Sequence, residues 1–195
     1  MAETLNLEKL YKDSIAKDLS GEMGGINLYA VPRLNKVVLN VGVGKIVSIR
    51  KGGTTEQKKE VELVADLVEG LAQIGGQHPQ FIKSKKSISG FKLREGAVVG
   101  LRSTLRGKKM YDFVARLIHI GLPRTRDFRG VSAGSVDQHG NLTIGIREAS
   151  IFPELTPSNF NWGFEATLVT SAKNRDEALE LFKKIGIPFS KAGQK

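Results

Sequence analysis

The whole surplus of charge in this chain sits in one stretch, and that same stretch must also supply core. Lys83 to Arg129 holds 13 Lys and Arg against three acids, Glu95, Asp112 and Asp127. The difference of ten equals the net charge of +10 for all 195 residues, so the rest of the chain is balanced at 17 of each sign. Apolar residues run through the stretch at regular spacing. Val99, Leu101, Ser103 and Leu105 alternate with Arg102, Thr104 and Arg106, the pattern of a half-buried strand over Ala97–Arg106. Met110, Phe113, Val114, Leu117 and Ile118 then recur at helical spacing after Gly107, and Gly121 and Pro123 are expected to end that helix. Any fold must turn one side of this strand and helix inward while the cations stay solvated. A local cationic surface of this kind marks a polyanion binder, and its interleaving with glycine and apolar residues favours RNA over a bare solvated charge run.

The remaining periodicities fill in the architecture. Leu7, Tyr11, Ile15 and Leu19 predict a first helix from about Asn6 to Leu19, closed by Gly21, Gly24 and Gly25. After Pro32, RLNKVVLNVGVG predicts a strand with Val37, Leu39, Val41 and Val43 on its core face. Val38, Asn40 and Gly42 fall on the other face, which is nearly bare and open to close approach by a large partner. Thr54 and Gln57 have capping-box spacing ahead of a helix with Val61, Val64, Leu67 (or Val68) and Leu71, stopped by Gly75 and Gly76. A short strand is expected at Gln80–Ile82. Lys83 to Glu95 has no period, three serines and Gly90, and reads as a long loop, mobile in the free protein.

RTRDFRGVSAGSV is a basic connection, and Asp137–Asn141, DQHGN, reads as a turn between two strands, the second being Leu142–Glu148. IFPELTPSNFNWG reads as irregular and Phe164–Thr170 as a strand. Asn174 and Glu177 open a last helix with Ala178, Leu179, Phe182 and Ile185 inward, ended by Gly186 and Pro188. The order predicts one α+β domain over 1–195: a single largely antiparallel β-sheet, helices packed on one face, and a long basic loop between two strands.

Most chemistries fail on this sequence. Without cysteine there is no disulfide, zinc knuckle or thiol nucleophile. Gly42-Val43-Gly44-Lys45 lacks the outer residues of a phosphate loop, where Leu39 and Ile46 stand instead. His78, His119 and His139 have no ligand partner at metal-binding spacing. Ser135, Asp137 and His139 lie in one turn that cannot relay protons. We expect no enzyme, no cofactor and no metal. No signal core, transit peptide or membrane span is apparent, so a cytoplasmic location without membrane contact is expected. The basic segment survives: Arg102, Thr104 and Arg106 can supply phosphate and sugar contacts, and Lys83, Lys85, Lys86, Lys92 and Arg94 surround Phe91. Phe91 is either a core anchor or a residue that stacks on a base or ribose.

VPRLNKVVLNVGVG, GQHPQFIKSKKSISGFKLREG, LRSTLRGKKMYDFVARL, GLPRTRDFRGVS and GNLTIGIREASIFPE, in that order, resemble the family of large ribosomal subunit protein five, the universal binder of 5S ribosomal RNA. The similarity spans roughly Val31 to Glu154. It implies a structural place in the central protuberance of the large subunit, with 5S rRNA, large-subunit rRNA, P-site tRNA, and neighbouring central-protuberance and small-subunit head proteins as partners. It implies 5S contacts at Asn40, Gln77, Phe91 and Thr104, beside Arg102 and Arg106, and a tRNA-binding loop at Lys83–Arg94. Asp127, Phe128, Arg129 and His139 match parts near the small-subunit side. Against the usual bacterial form, an insertion of roughly ten residues is expected at about 45–60, and SNFNWGFEA departs from the family pattern. The competing reading is an RNA-directed enzyme or ribosome maturation factor that uses the same basic surface.

Overall fold

The computed structural model of the chain describes residues 6–44, 54–91, 93–155 and 161–190, with backbone alone over 54–63. The expected insertion at about 45–60 therefore lies partly outside the described residues, as do the side chains of Thr54 and Gln57.

The first helix begins at Asn6, whose side chain accepts from Lys9 N (3.1 Å). It runs as α1 (Leu7–Leu10), a π-helical turn (Tyr11–Ile15) and α2 (Ala16–Glu22). A spacing of four overshoots the 3.6-residue turn by about 40° at each step. The wider π turn absorbs that drift, and Leu7, Tyr11, Ile15 and Leu19 all end up buried.

Five strands follow: β1 (Leu34–Gly42), β2 (Gln80–Lys83), β3 (Val98–Leu105), β4 (Leu142–Ile146) and β5 (Phe164–Thr170). They form one antiparallel sheet in the order β2-β3-β1-β5-β4. Burial alternates along the strands as period two requires. Val37, Leu39 and Val41, Leu101, Ser103 and Leu105, Leu142, Ile144 and Ile146, and Phe164, Ala166 and Leu168 are buried. Asn40, Gly42, Arg102, Thr143, Gly145 and Glu165 are exposed on the other side. The α+β architecture expected from the sequence is the one observed.

The later helices are α3 (Thr54–Gly75), α4 (Gly107–Arg116), α5 (Leu122–Arg124) and α6 (Arg175–Ile185), with a second π-helical turn (Leu117–Gly121) between α4 and α5. Two expectations need correction. Gly121 and Pro123 do not end the helix. Gly121 is buried within the π turn, and Pro123 sits in the first turn of α5, where a missing N–H costs little. The stop comes at Thr125, whose N donates to Leu122 O and whose hydroxyl donates to Gly121 O, both at 3.1 Å. In α6 the buried stripe is Ala178, Leu181, Phe182 and Ile185, and Leu179 is half-buried. Counting three, four and seven from Ala178 selects Leu181, about 100° per residue leaving Leu179 to the side.

The chain divides into two compact units. One comprises Met1–Val37, Leu105–Gly145 and Ala166–Lys195; the other comprises Val38–Thr104 and Ile146–Glu165. In the first, the Tyr11 hydroxyl donates to Pro32 O (2.8 Å), joining the first helix to the lead into β1. Val131 pairs in parallel with Phe189. Beside that pair only glycine fits at position 130, since a β-carbon there would lie 2.5 Å from Ser190 N and φ is +98°. In the second unit the irregular Trp162 stretch supplies core. Trp162 and Phe152 each lie 5.9 Å from the Phe164 ring, and Trp162 crosses α3 at Gly70.

Candidate nucleic-acid interface

Unit two carries most of the residues singled out for RNA. Asn40 is exposed on β1, on the side opposite Leu39 and Val41. Its neighbour across the sheet is Gly100 of β3: a β-carbon added there would lie 4.0 Å from Asn40 Oδ1 and 3.0 Å from Val41 O. Beside Asn40 neither Gly42, which is exposed, nor Gly100, which is buried, projects a side chain. On the same face of β3, Arg102 is exposed and Thr104 half-buried. Neither the Asn40 amide nor the Thr104 hydroxyl is engaged among the described residues, so both can bond to a partner.

Gln77 is placed differently. Its Nε2 donates to Ser103 Oγ (3.1 Å) and to Thr104 O (2.7 Å). The bond satisfies Ser103, a polar residue on the core face that is only 2% exposed. It also pins the end of β3 next to Thr104. Periodicity could not reveal this role, because the partners lie 26 and 27 residues away and are set by sheet register. Gln80 was missed for the same reason. It sits opposite Arg102 in the β2–β3 register, and its Oε1 accepts from Arg102 Nη2 at 3.4 Å. Arg106 lies beyond the strand, since β3 ends at Leu105 and Arg106 is the cap of α4, in the other unit.

The basic loop joins β2 to β3. Lys83, Lys85, Lys86 and Arg94 are exposed, whereas Lys92 lies outside the described residues. The loop is closed by backbone bonds: Ser84 N to Ala97 O (2.8 Å), Gly96 N to Ser84 O (3.0 Å), and a reciprocal Ile88–Leu93 pair at 2.9 and 3.1 Å. A short 3₁₀ turn, Ser89–Phe91, forms its tip. Phe91 is 77% exposed and Ile88 45% exposed. The core-anchor reading of Phe91 is thereby excluded, and an apolar tip stands among cations.

Unit one holds the other candidates. Asp127 adopts φ +53°, and Phe128 and Arg129 lead from it to Gly130. Asp137 Oδ1 accepts from the backbone N–H of His139 (2.9 Å) and of Asn141 (2.7 Å), and Oδ2 accepts from Asn141 Nδ2 (2.8 Å). The Asn141 bonds, backbone then side chain, are the main cause that holds the Asp137 carboxyl below its ordinary value. The carboxylate is consumed in bracing the turn. Among the described residues no group of three or more His, Cys, Asp or Glu could hold a metal ion, and no helix is long and apolar enough to cross a membrane.

The family model described as ribosomal protein L5 matches residues 27–94, and that described as ribosomal L5P family C-terminus matches 98–189. Large ribosomal subunit protein uL5 of Mesoplasma florum is 47% identical over 187 residues, covering 95% of this chain and 98% of the relative. The proteins of the same name from Chlorobium luteolum and Halothermothrix orenii are 45% and 42% identical, each over 94% of this chain and over 90% and 98% of the relative. With a single antiparallel sheet, one bare face and relatives matched over nearly their full length, the chain belongs to the family of large ribosomal subunit protein uL5.

Proposed function

We propose that this chain is a non-catalytic structural constituent of the large ribosomal subunit, working in the cytoplasm, and that it binds 5S rRNA through the bare face of unit two. The observation that carries the reading is the pair of unengaged polar side chains, Asn40 and Thr104, on a strand surface stripped by Gly42 and Gly100. Such a face lets an RNA backbone approach closely and offers it neutral hydrogen-bonding groups, with Arg102 as a neighbouring cation. Gln77 holds β3 in place with its amide N–H groups and keeps Oε1 for the RNA. Phe91 supplies an aromatic ring at the loop tip, and Arg106 a further cation.

By family likeness, the 5S RNA is thereby attached to the large rRNA in the central protuberance. Lys83, Lys85, Lys86, Lys92 and Arg94 then meet P-site tRNA. Asp127, Phe128, Arg129 and His139 lie toward the small-subunit head. The 1–195 chain acts as one ribosomal domain in this reading, with the segment at about 45–60 as an addition.

Asn40→Ala and Thr104→Ala test it. Each removes one hydrogen-bonding side chain from an open face, so each is expected to weaken 5S affinity by about 1 kcal/mol, roughly fivefold, with an unchanged melting temperature. A melting temperature lowered by many degrees with RNA affinity intact would contradict the assignment of the face.

A further inference from the structure

Tyr29, in unit one, is 94% exposed, and its neighbour Leu28 is 51% exposed. The exposure is built into the backbone. Asn27 folds the chain over, its Oδ1 accepting from Tyr29 N (2.9 Å) and its carbonyl accepting from Ala30 N (2.8 Å). On the near side, Ser20 Oγ donates to Ile26 O (2.6 Å), tying the turn to α2. On the far side Val31 and Pro32 are buried, and Pro32 O takes the Tyr11 hydroxyl. The turn is thus anchored at both ends and projects a phenol ring that has no partner among the described residues.

Along the described chain the charge beside it has one sign. From Met23 to Gly44 there is no acid, while Arg33 and Lys36 are basic. The acid just before the turn, Glu22, is held by Lys184 Nζ at 2.6 Å. An aromatic ring presented from an acid-free, cationic segment suits a partner with a π face and nearby negative charge. An unstacked nucleobase with its phosphate has both. An apolar protein pocket would use Leu28 and Tyr29 but has no need of the acid-free setting.

We propose that Tyr29 is a stacking platform for an unpaired nucleobase of ribosomal RNA, a contact that shares no residue with the Asn40 and Thr104 face. The inference rests on the ribosomal reading above. Its chemistry is met equally by a base of 5S rRNA or of the large rRNA, and the experiment separates the two.

Full-length protein carrying Tyr29→Ala, Tyr29→Leu, Tyr29→Phe or Tyr29→Trp is assembled into large subunits, and both rRNAs are probed with base-reactive reagents. The expected result is one or two unpaired bases that gain reactivity with Ala and Leu and stay protected with Phe and Trp, because stacking needs a ring. If those bases lie in 5S rRNA, Tyr29→Ala also weakens binding of isolated 5S RNA by about tenfold. If they lie in the large rRNA, 5S affinity is unchanged. The proposal is overturned if no base changes reactivity, or if Leu protects as well as Tyr, the mark of a protein pocket. Unmodified protein that fails to co-sediment with large subunits would overturn the ribosomal reading as well, an outcome distinct from either of these.

Discussion

Tyr11 ties the first helix to the lead into β1 through its 2.8 Å bond to Pro32 O. Burial, with a lesser push from Tyr111 and opposition from Arg33, raises its hydroxyl from 10.0 to about 12. Only the neutral form donates the bond. Its contribution is therefore complete below pH 10 and is lost as pH rises through about 12. Tyr11→Phe is expected to cost about 1 kcal/mol at neutral pH. Over that alkaline window the unmodified protein should lose stability faster than the variant; parallel unfolding curves would contradict the account. At this scale the sequence was informative where a residue sat in a period. Alternation put Asn40 off the core face and Ser103 on it. Phe91 stayed undecided, because its loop has no period, and its exposure appeared only with the loop's closure by the Ile88–Leu93 pair. The partners of Gln77 were hidden for another reason, since they follow from strand register rather than local order.

Elements were legible wherever glycine and apolar spacing agreed. β5 falls on the expected residues, and α3 ends at the expected Gly75. The misses differ in cause: the helix end was overridden by hydrogen-bond geometry that the sequence does not display, whereas Leu181 in place of Leu179 follows from the helical angle itself. The π turn at Leu117–Gly121 carried the helix past a glycine and into a proline that was read as its end. Packing also decides the sign of glycine substitutions in helices. Gly70 and Gly21 both lie in helices, where alanine is intrinsically better by about 1 kcal/mol. A β-carbon at Gly70, however, would lie 2.8 Å from Trp162 Cζ2, whereas at Gly21 nothing lies within 4 Å. Gly70→Ala should therefore destabilise, by about 1 kcal/mol net, as overpacking of the indole outweighs propensity. Gly21→Ala should stabilise by roughly 0.5 kcal/mol. Chemical denaturation of the two variants checks both signs, and two shifts in the same direction would refute the packing argument.

For the whole molecule, the decisive property is that +10 of charge is gathered in one segment, which spreads through β3, its preceding loop and α4. That distribution could be read directly from the sequence, and the family resemblance implied a split within it between the loop and the strand face. The loop and the bare strand face offer different chemistry: exposed cations around Phe91 in one, neutral hydrogen-bonding groups in the other. Replacing Lys85, Lys86 and Arg94 together with Gln should leave most 5S affinity in place, because Asn40, Arg102 and Thr104 remain. The same triple variant should reduce P-site tRNA occupancy on ribosomes that contain it. Abolished 5S binding with normal tRNA occupancy would mean that the loop and the face have been given each other's partner.

The central claim, that the cationic segment and the bare face beside it bind 5S rRNA, is tested most directly by titrating the full-length protein against 5S rRNA across a range of salt concentrations. Each phosphate neutralised contributes roughly 0.7–0.9 to the slope of log affinity against log salt. The account predicts a downward slope of several units and, at each salt concentration, weaker binding to an unrelated structured RNA of equal length. A flat response, or equal affinity for the unrelated RNA, would contradict it.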